Sequence, residues 1–277
     1  MIRLVLSDLD NTLIWGSPHV ITGHGADAIR ALQAAGVHFA PATGRTFSGL
    51  PELFGGDTGL CSTAITCNGQ LVYLDGQLVS STPLAHDVLT RTRDVLTEFW
   101  DAFLVVEYEE RKIGIGMDMG YVQANPDYFW AVGEAMGEVP DEPCHKANVR
   151  VVGDMARGRE VRERLAEACP EFDFVFPMPG FPHIDILPHG FGKERGGDFL
   201  MEALGLTSDE VAVFGDAEND MSMLEHYPNS VAVANAVPIV AQTARWHVGR
   251  AEDDAVADAF FEIARATKAG EMPAFMR

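Results

Sequence analysis

Residues 2–12 read Ile-Arg-Leu-Val-Leu-Ser-Asp-Leu-Asp-Asn-Thr, an apolar run that ends abruptly in two carboxylates, Asp8 and Asp10. A short apolar run bounded by polar residues predicts a buried parallel strand over 2–7 with a polar loop at its carboxyl end. Open α/β sheets bind their ligands at that edge. Over 22–35 the apolar residues Ala26, Ile29, Ala31, Leu32 and Ala35 recur at helical spacing, and Gly36 is placed to end the helix. A strand follows at 37–42, then a helix at 46–54, a strand at 63–67 and a hairpin over 70–80 turning at Asp75-Gly76.

The same grammar returns after residue 190. It predicts a helix at 193–204, a strand at 211–215, a helix at 220–226, a strand at 230–234 and a last helix ending near 266. Alternating strands and helices imply an α/β fold with a doubly wound, Rossmann-like parallel sheet. Segments 1–82 and 189–277 are therefore expected to form one core domain.

The intervening stretch is patterned differently. A helix at 86–99 precedes paired strands at 103–109 and 112–117, and Asn125-Pro126 is expected to open another helix. A strand at 149–152, a helix at 157–168 and strands at 172–176 and 183–187 complete an inserted α+β domain over 83–188, with Pro83 and Pro188 as hinge markers.

The length of 277 residues accommodates this arrangement, and 47% hydrophobic with 22% charged residues is ordinary for a globular chain with a sizeable core. A formal net charge of −21 argues against nucleic acid and anionic membranes as partners. The cysteines at 61, 67, 144 and 169 lack metal-type spacing and read as reduced packing residues. The first residues offer no stretch long enough for a signal peptide or membrane span, so a cytoplasmic location is the default expectation.

Four motifs carry chemistry. If the backbone stays extended across Leu9, Asp8 and Asp10 point the same way, one able to act as nucleophile while the other handles a proton. An acidic turn or helix cap would use the same residues. Gly215-Asp216-Ala217-Glu218-Asn219-Asp220 follows a second apolar strand and should open at the same sheet edge, adding two carboxylates. Such an oxygen-rich cluster suits a hard cation, magnesium above all; a helix-capping loop is the alternative. Thr43-Gly44-Arg45 sits at a third strand end, where a hydroxyl and free amides can cradle phosphate. Lys193 could add one positive charge, although a lone lysine is usually a solvated surface residue.

Taken in order, these motifs closely resemble those of the haloacid dehalogenase superfamily of phosphatases, over nearly the whole chain. The Asn68-Gly69 step, the insertion, Ala42-Thr43-Gly44-Arg45, the segment 219–224 and the segment 231–236 resemble its Cof-like branch, whose α+β lid is a type IIB cap. Asn11 stands where many of that branch carry Gly. The resemblance implies that Asp8 attacks phosphorus to form an aspartyl-phosphate, while Asp10 protonates the leaving alcohol and then activates water. It implies magnesium held by Asp8, the Asp10 main-chain carbonyl, Asp216 and Asp220. Thr43, the Gly44 amide, Lys193 and Asn219 would hold the phosphoryl oxygens, and the substrate would be a small phosphorylated metabolite, sugar phosphates foremost, with the cap setting the choice. A phosphohexomutase of the same superfamily and a non-catalytic binding or regulatory protein are the competing readings.

Other residues receive bland readings. The aromatics Trp100, Phe103, Tyr128, Phe129 and Trp130 are expected in the inserted domain's core, and Glu107, Glu109 and Glu110 on its solvated surface. His183 and His189 could meet substrate but read as structural or surface residues, and Arg45 could reach the substrate or pair with an acidic neighbour; none of the three is assigned a role.

Overall fold

The computed structural model describes residues 1–277, which divide into two compact units: Met1–Ser81 with Gly192–Arg277, and Thr82–Phe191. No helix is long and apolar enough to cross a membrane. In the first unit the chain runs β1 (Leu4–Ser7), α1 (Gly23–Ala34), β2 (His38–Pro41), α2 (Leu50–Leu53), β3 (Ala64–Thr66), β4 (Leu71–Leu74) and β5 (Gln77–Ser81). Thr22 caps α1 by accepting from the Gly25 amide.

The second unit comprises α3 (His86–Leu96), β6 (Ala102–Glu107), β7 (Lys112–Ile115), α4 (Met119–Ala124), β8 (Glu134–Met136), β9 (Lys146–Val151), α5 (Met155–Ala168), β10 (Phe172–Val175) and β11 (His183–Pro188). Its six-stranded sheet has the order β10-β11-β9-β6-β7-β8, with only the β7–β8 pair parallel. Ala147, Val149 and Val151 of β9 pack with Val88 and Leu89 of α3 and Val161 and Leu165 of α5. The alternate residues Lys146, Asn148 and Arg150 therefore lie on the sheet's other face.

The chain then completes the first unit with α6 (Lys193–Ala203), β12 (Val211–Gly215), α7 (Met221–His226), β13 (Asn229–Ala232), α8 (Pro238–Thr243), β14 (Trp246–His247) and α9 (Ala255–Ala269). Its main sheet, β14-β13-β12-β1-β2, is parallel throughout. Strand β1 is buried on both faces: Val5 joins the core with α1 and α9, and Leu4 and Leu6 the core with α6 and α7. The sheet is thus doubly wound. From β1 the chain goes to β2 on one side and later reaches β12 on the other, so the loops after β1 and β12 diverge and leave the crevice where such folds bind ligands.

Several expectations are corrected. Strand β3 does not extend the parallel sheet; it pairs antiparallel with β4 and meets β2's extension through a single bridge, Ala42 to Ile65. Cys67, Asn68 and Gly69 all have positive φ and turn the chain straight back into the β4–β5 hairpin. No helix opens at Asn125-Pro126, because α4 begins where Asp118 caps the Tyr121 amide and has ended at Ala124. A residue before proline is biased away from the helical region, so Asn125 closes the helix. The 46–54 helix is split into a 3₁₀ turn and the short α2, while α8, β8 and β14 went unread.

Glu107 is buried, not solvated, since Lys112 and Arg150 ion-pair with it and Asn148 donates to it. Trp100 is 76% exposed and belongs to no core.

Candidate active site

The extended strand β1 ends at Ser7, and the Asp8 amide still donates to the Phe214 carbonyl of the neighbouring strand β12. That bond fixes Asp8 at the sheet's carboxyl edge. The chain then curls through Leu9–Ile14, with Asn11 at φ 59°. Asn tolerates this left-handed conformation better than other side chains, which accounts for Asn at a position where Gly would also serve.

Strand β12 delivers the second carboxylate pair. Asp220 Oδ2 accepts from the Asp216 and Ala217 amides at 2.9 and 3.0 Å, folding the loop back on the strand end. A Cβ on Gly215 would stand 2.6 Å from that of Asp220, so only glycine lets the carboxylate come so close. Thr12 donates to Asp216 Oδ1 at 3.1 Å, linking the two loops.

Lys193, at the start of α6, is fully buried and donates to both Asp8 Oδ1 and Asp220 Oδ1 at 2.6 Å. Its placement rests on a close backbone approach: a Cβ on Gly69 would lie 2.3 Å from the Gly192 carbonyl oxygen. The surface reading of this lysine does not hold.

Asp8, Asp216 and Asp220 bring one carboxylate oxygen each within 4.8 Å of one another. Three buried carboxylates against one ammonium leave a surplus of negative charge. Burial pushes the Asp8 carboxyl up, Lys193 pulls it back, and Asp220, Asp216 and Asp10 push it up again, so it ends well above the usual carboxylate range. Burial and then Asp220 carry Asp216 up to about 7. Burial would lower Lys193, but Asp220 and Asp8 outweigh it and hold the ammonium charged. A divalent cation among these oxygens would remove the surplus, and an all-oxygen donor set suits a hard cation. The residues present therefore fit a metal ion.

Asp10 is tuned the other way. Arg45 grips it through Nε at 2.9 Å and Nη2 at 2.7 Å, and His19 Nε2 lies 2.5 Å from Oδ1. Burial pushes this carboxyl up, but the His19 and Arg45 contacts win and hold it well below the usual range. Two carboxyls two residues apart are thus poised oppositely. Arg45, His19 and Thr12 were not assigned by sequence reading. Arg45 shares the Thr43-Gly44 loop and its position was readable, whereas His19 sits in the stretch between β1 and α1 that has no periodicity to signal anything.

Thr43 is buried; its amide donates to the Ile65 carbonyl and its hydroxyl accepts from the Arg45 amide. Gly44 lies between them, half-buried. The Asn68 and Cys67 amides donate to the Thr43 and Arg45 carbonyls, so the left-handed turn after β3 buttresses this loop. Asn68 Oδ1 accepts from Asn219 Nδ2 at 3.2 Å, which ties the Thr43 loop to the Asp216–Asp220 loop. The Asn68-Gly69 step after a strand was the sequence signal for this turn.

The family model for haloacid dehalogenase-like hydrolases matches residues 5–260. A 5-amino-6-(5-phospho-D-ribitylamino)uracil phosphatase of Bacillus subtilis is 26% identical over 258 residues, covering 93% of this chain and 94% of its own length. Among solved structures, SMU.1108c of Streptococcus mutans aligns with a TM-score of 0.81 at 20% identity, over 94% of this chain and 98% of that one. The sugar phosphatase BT4131, described as subclass IIB of the same superfamily, aligns with a TM-score of 0.76 at 19% identity, over 93% and 97%. At these identities the structural matches speak for the fold.

Proposed function

We propose, from the premise that this chain belongs to the haloacid dehalogenase-like hydrolase family, that it is a magnesium-dependent phosphatase of small phosphorylated metabolites. The observation that carries this reading is the convergence of Asp8, Asp216 and Asp220 with the buried Lys193 at one sheet edge, beside Asp10 gripped by Arg45 and His19.

In the proposed reaction a carboxylate oxygen of Asp8 attacks phosphorus as the bond to the leaving alcohol breaks, and protonated Asp10 gives that oxygen its proton. Water then attacks the aspartyl-phosphate, Asp10 takes the water's proton, and the bond from Asp8 to phosphorus breaks to release phosphate. Asp10 held ionised is in the form the second step needs. Its first role requires that Arg45 let go, and an incoming phosphate ester is the competing anion for a guanidinium. The Thr43 hydroxyl, the Gly44 amide, Asn219 and Lys193 would hold the phosphoryl oxygens, since phosphoryl transfer depends on positioning and on neutralising equatorial charge. Asp8, Asp216, Asp220 and the Asp10 carbonyl would hold magnesium, which when bound supplies positive charge against the phosphoryl group.

A relative named for a phosphorylated ribityl compound supports a polyhydroxylated leaving group, with sugar phosphates the leading class. Phosphate release from a panel of metabolite phosphates with magnesium tests the reading. Release of free phosphate by the wild type, lost in Asp8→Asn, is expected. No release from any ester, or release undiminished in Asp8→Asn, overturns it; isomerised sugar phosphate in place of free phosphate would point to a mutase.

A further inference from the structure

Lys193 donates to Asp8 and Asp220, the carboxylates that would attack phosphorus and hold magnesium in the proposed reaction. A side chain whose partners have other work to do keeps its place only if its backbone is fixed by other groups. That backbone is clamped at Gly192. On one side the Gly192 carbonyl oxygen lies against Gly69, where a Cβ would come within 2.3 Å of it. On the other, a Cβ on Gly192 itself would stand 2.3 Å from Ser222 Oγ and 2.5 Å from Glu194 Oε2. The serine hydroxyl and the carboxylate therefore occupy the room that glycine leaves.

Both oxygens are shielded from solvent, and neither has a hydrogen-bond partner. Buried polar atoms are almost always paired, and here each supplies what the other lacks: a carboxylate oxygen only accepts, and a serine hydroxyl has a hydrogen to give. Because both lie within 2.5 Å of one point, a small rotation of either side chain brings them into contact. The other carboxylate oxygen, Oε1, faces Nε of the exposed Arg195 at 3.7 Å and so leaves Oε2 for the serine.

Their place in the fold gives the two residues a role. Lys193 and Glu194 are the first and second residues of α6; Asp220 directly precedes α7, and Ser222 is its second residue. Lys193–Asp220 and Glu194–Ser222 are thus successive rungs between the starts of two helices, and the chemistry makes demands on the first rung alone. No side chain caps α6 at Gly192, whereas the Tyr227 hydroxyl, just past the end of α7, donates to the Glu194 carbonyl at 3.3 Å. We propose that Glu194 and Ser222 are positioning residues for Lys193: the Ser222 hydroxyl donates to Glu194 Oε2, and this bond keeps the ammonium at the sheet edge while Asp8 and Asp220 turn to phosphorus and metal. The consequence for turnover rests on the phosphatase reading; the placement of Lys193 does not.

The test therefore reads Lys193 directly. Four lysines give four side-chain Nζ signals by NMR, read through the adjacent Cε protons, and Lys193→Met identifies that of Lys193. In the metal-free full chain, Ser222→Ala and Glu194→Ala are each expected to shift or broaden the Lys193 signal, with those of Lys112, Lys146 and Lys268 unmoved as the control for folding. Glu194→Gln keeps an acceptor and should hold the Lys193 signal in place. With magnesium and a phosphate ester, the two alanine variants should each lower kcat about tenfold with KM little changed, and the double variant no further. An unmoved Lys193 signal in folded Ser222→Ala, a shift as large in Glu194→Gln as in Glu194→Ala, or losses of kcat that add in the double variant would each overturn the proposal. A wild type that releases no phosphate from any ester while Lys193 responds as expected would sink the phosphatase reading and leave the positioning pair standing.

Discussion

The protein buries two clusters of charge, one in each unit, and burial acts on both in the same sense by disfavouring the ionised form. In the first unit Asp8, Asp216 and Asp220 share one cation, Lys193. In the second, Glu107 and Asp185 sit among Lys112, Lys146 and Arg150. The outcomes are opposite: Asp8 and Asp216 are pushed up, whereas Glu107, raised by burial but drawn down by Lys146, Lys112 and Arg150, falls to about 2. Burial alone does not decide ionisation; the sign of the neighbourhood's surplus does. A surplus of buried carboxylates is a place for a cation, whereas a cluster in which cations outnumber carboxylates keeps its carboxylate ionised.

The sharpest break in this comparison is kinetic and confined to one cluster. Asp8→Asn is expected to lower phosphate release on the order of 10⁴-fold or more, measured under saturating magnesium. Stability should run the other way. In urea unfolding without metal, Asp8→Asn relieves the surplus and costs nothing, while Glu107→Gln leaves buried cations unpaired and costs about 3–5 kcal/mol. Equal losses in both variants would refute the contrast.

Magnesium separates the clusters by a smaller margin. At a hundredfold excess over its dissociation constant it should stabilise the wild type by about 2.7 kcal/mol, an effect retained in Glu107→Gln and missing in Asp216→Asn. Thermal unfolding with and without magnesium provides the check.

The smallest effect in the wild type is that of pH, because groups shifted in opposite directions work against one another. Asp216 keeps its proton up to about 7 when folded against 3.8 as its ordinary value, so its contribution is lost as pH rises through that window. His183 resists its proton down to about 4 against 6.5, so its contribution is lost as pH falls from 6.5 toward 4. Asp8, also held above its ordinary range, adds to Asp216, so without metal the thermal midpoint of the wild type should fall toward alkali between pH 4 and 6.5, more steeply in His183→Phe and less steeply in Asp216→Asn.

Much of the first unit was legible because its signals are local. The apolar runs at 2–7 and 211–215 stop at carboxylates, and a buried strand cannot hold such groups except at its end. Thr22 and Gly36 punctuate α1 as caps do. The second unit was less legible where local and tertiary cues conflict. Asn125-Pro126 resembles a helix start but closes α4, and Glu107 reads as part of an acidic surface run until Lys112, Asn148 and Arg150 are brought against it. Strand β3 announced itself as a strand without announcing its partner, since periodicity describes one element and pairing involves two.

By itself the sequence determined the order of most of the elements, the family, and which carboxylates stand at strand ends, because each of these depends on residues a few positions apart. Only the tertiary structure decided what those carboxylates feel. Lys193 reaches Asp8 across 185 positions of chain and Asn219 reaches Asn68 across 151, Arg45 and His19 converge on Asp10 from separate loops, and Trp130 closes over Arg150 and His183 of paired strands. Charge in a buried site is set by everything within a few ångströms, and nothing in a linear pattern specifies which distant residues will occupy that space.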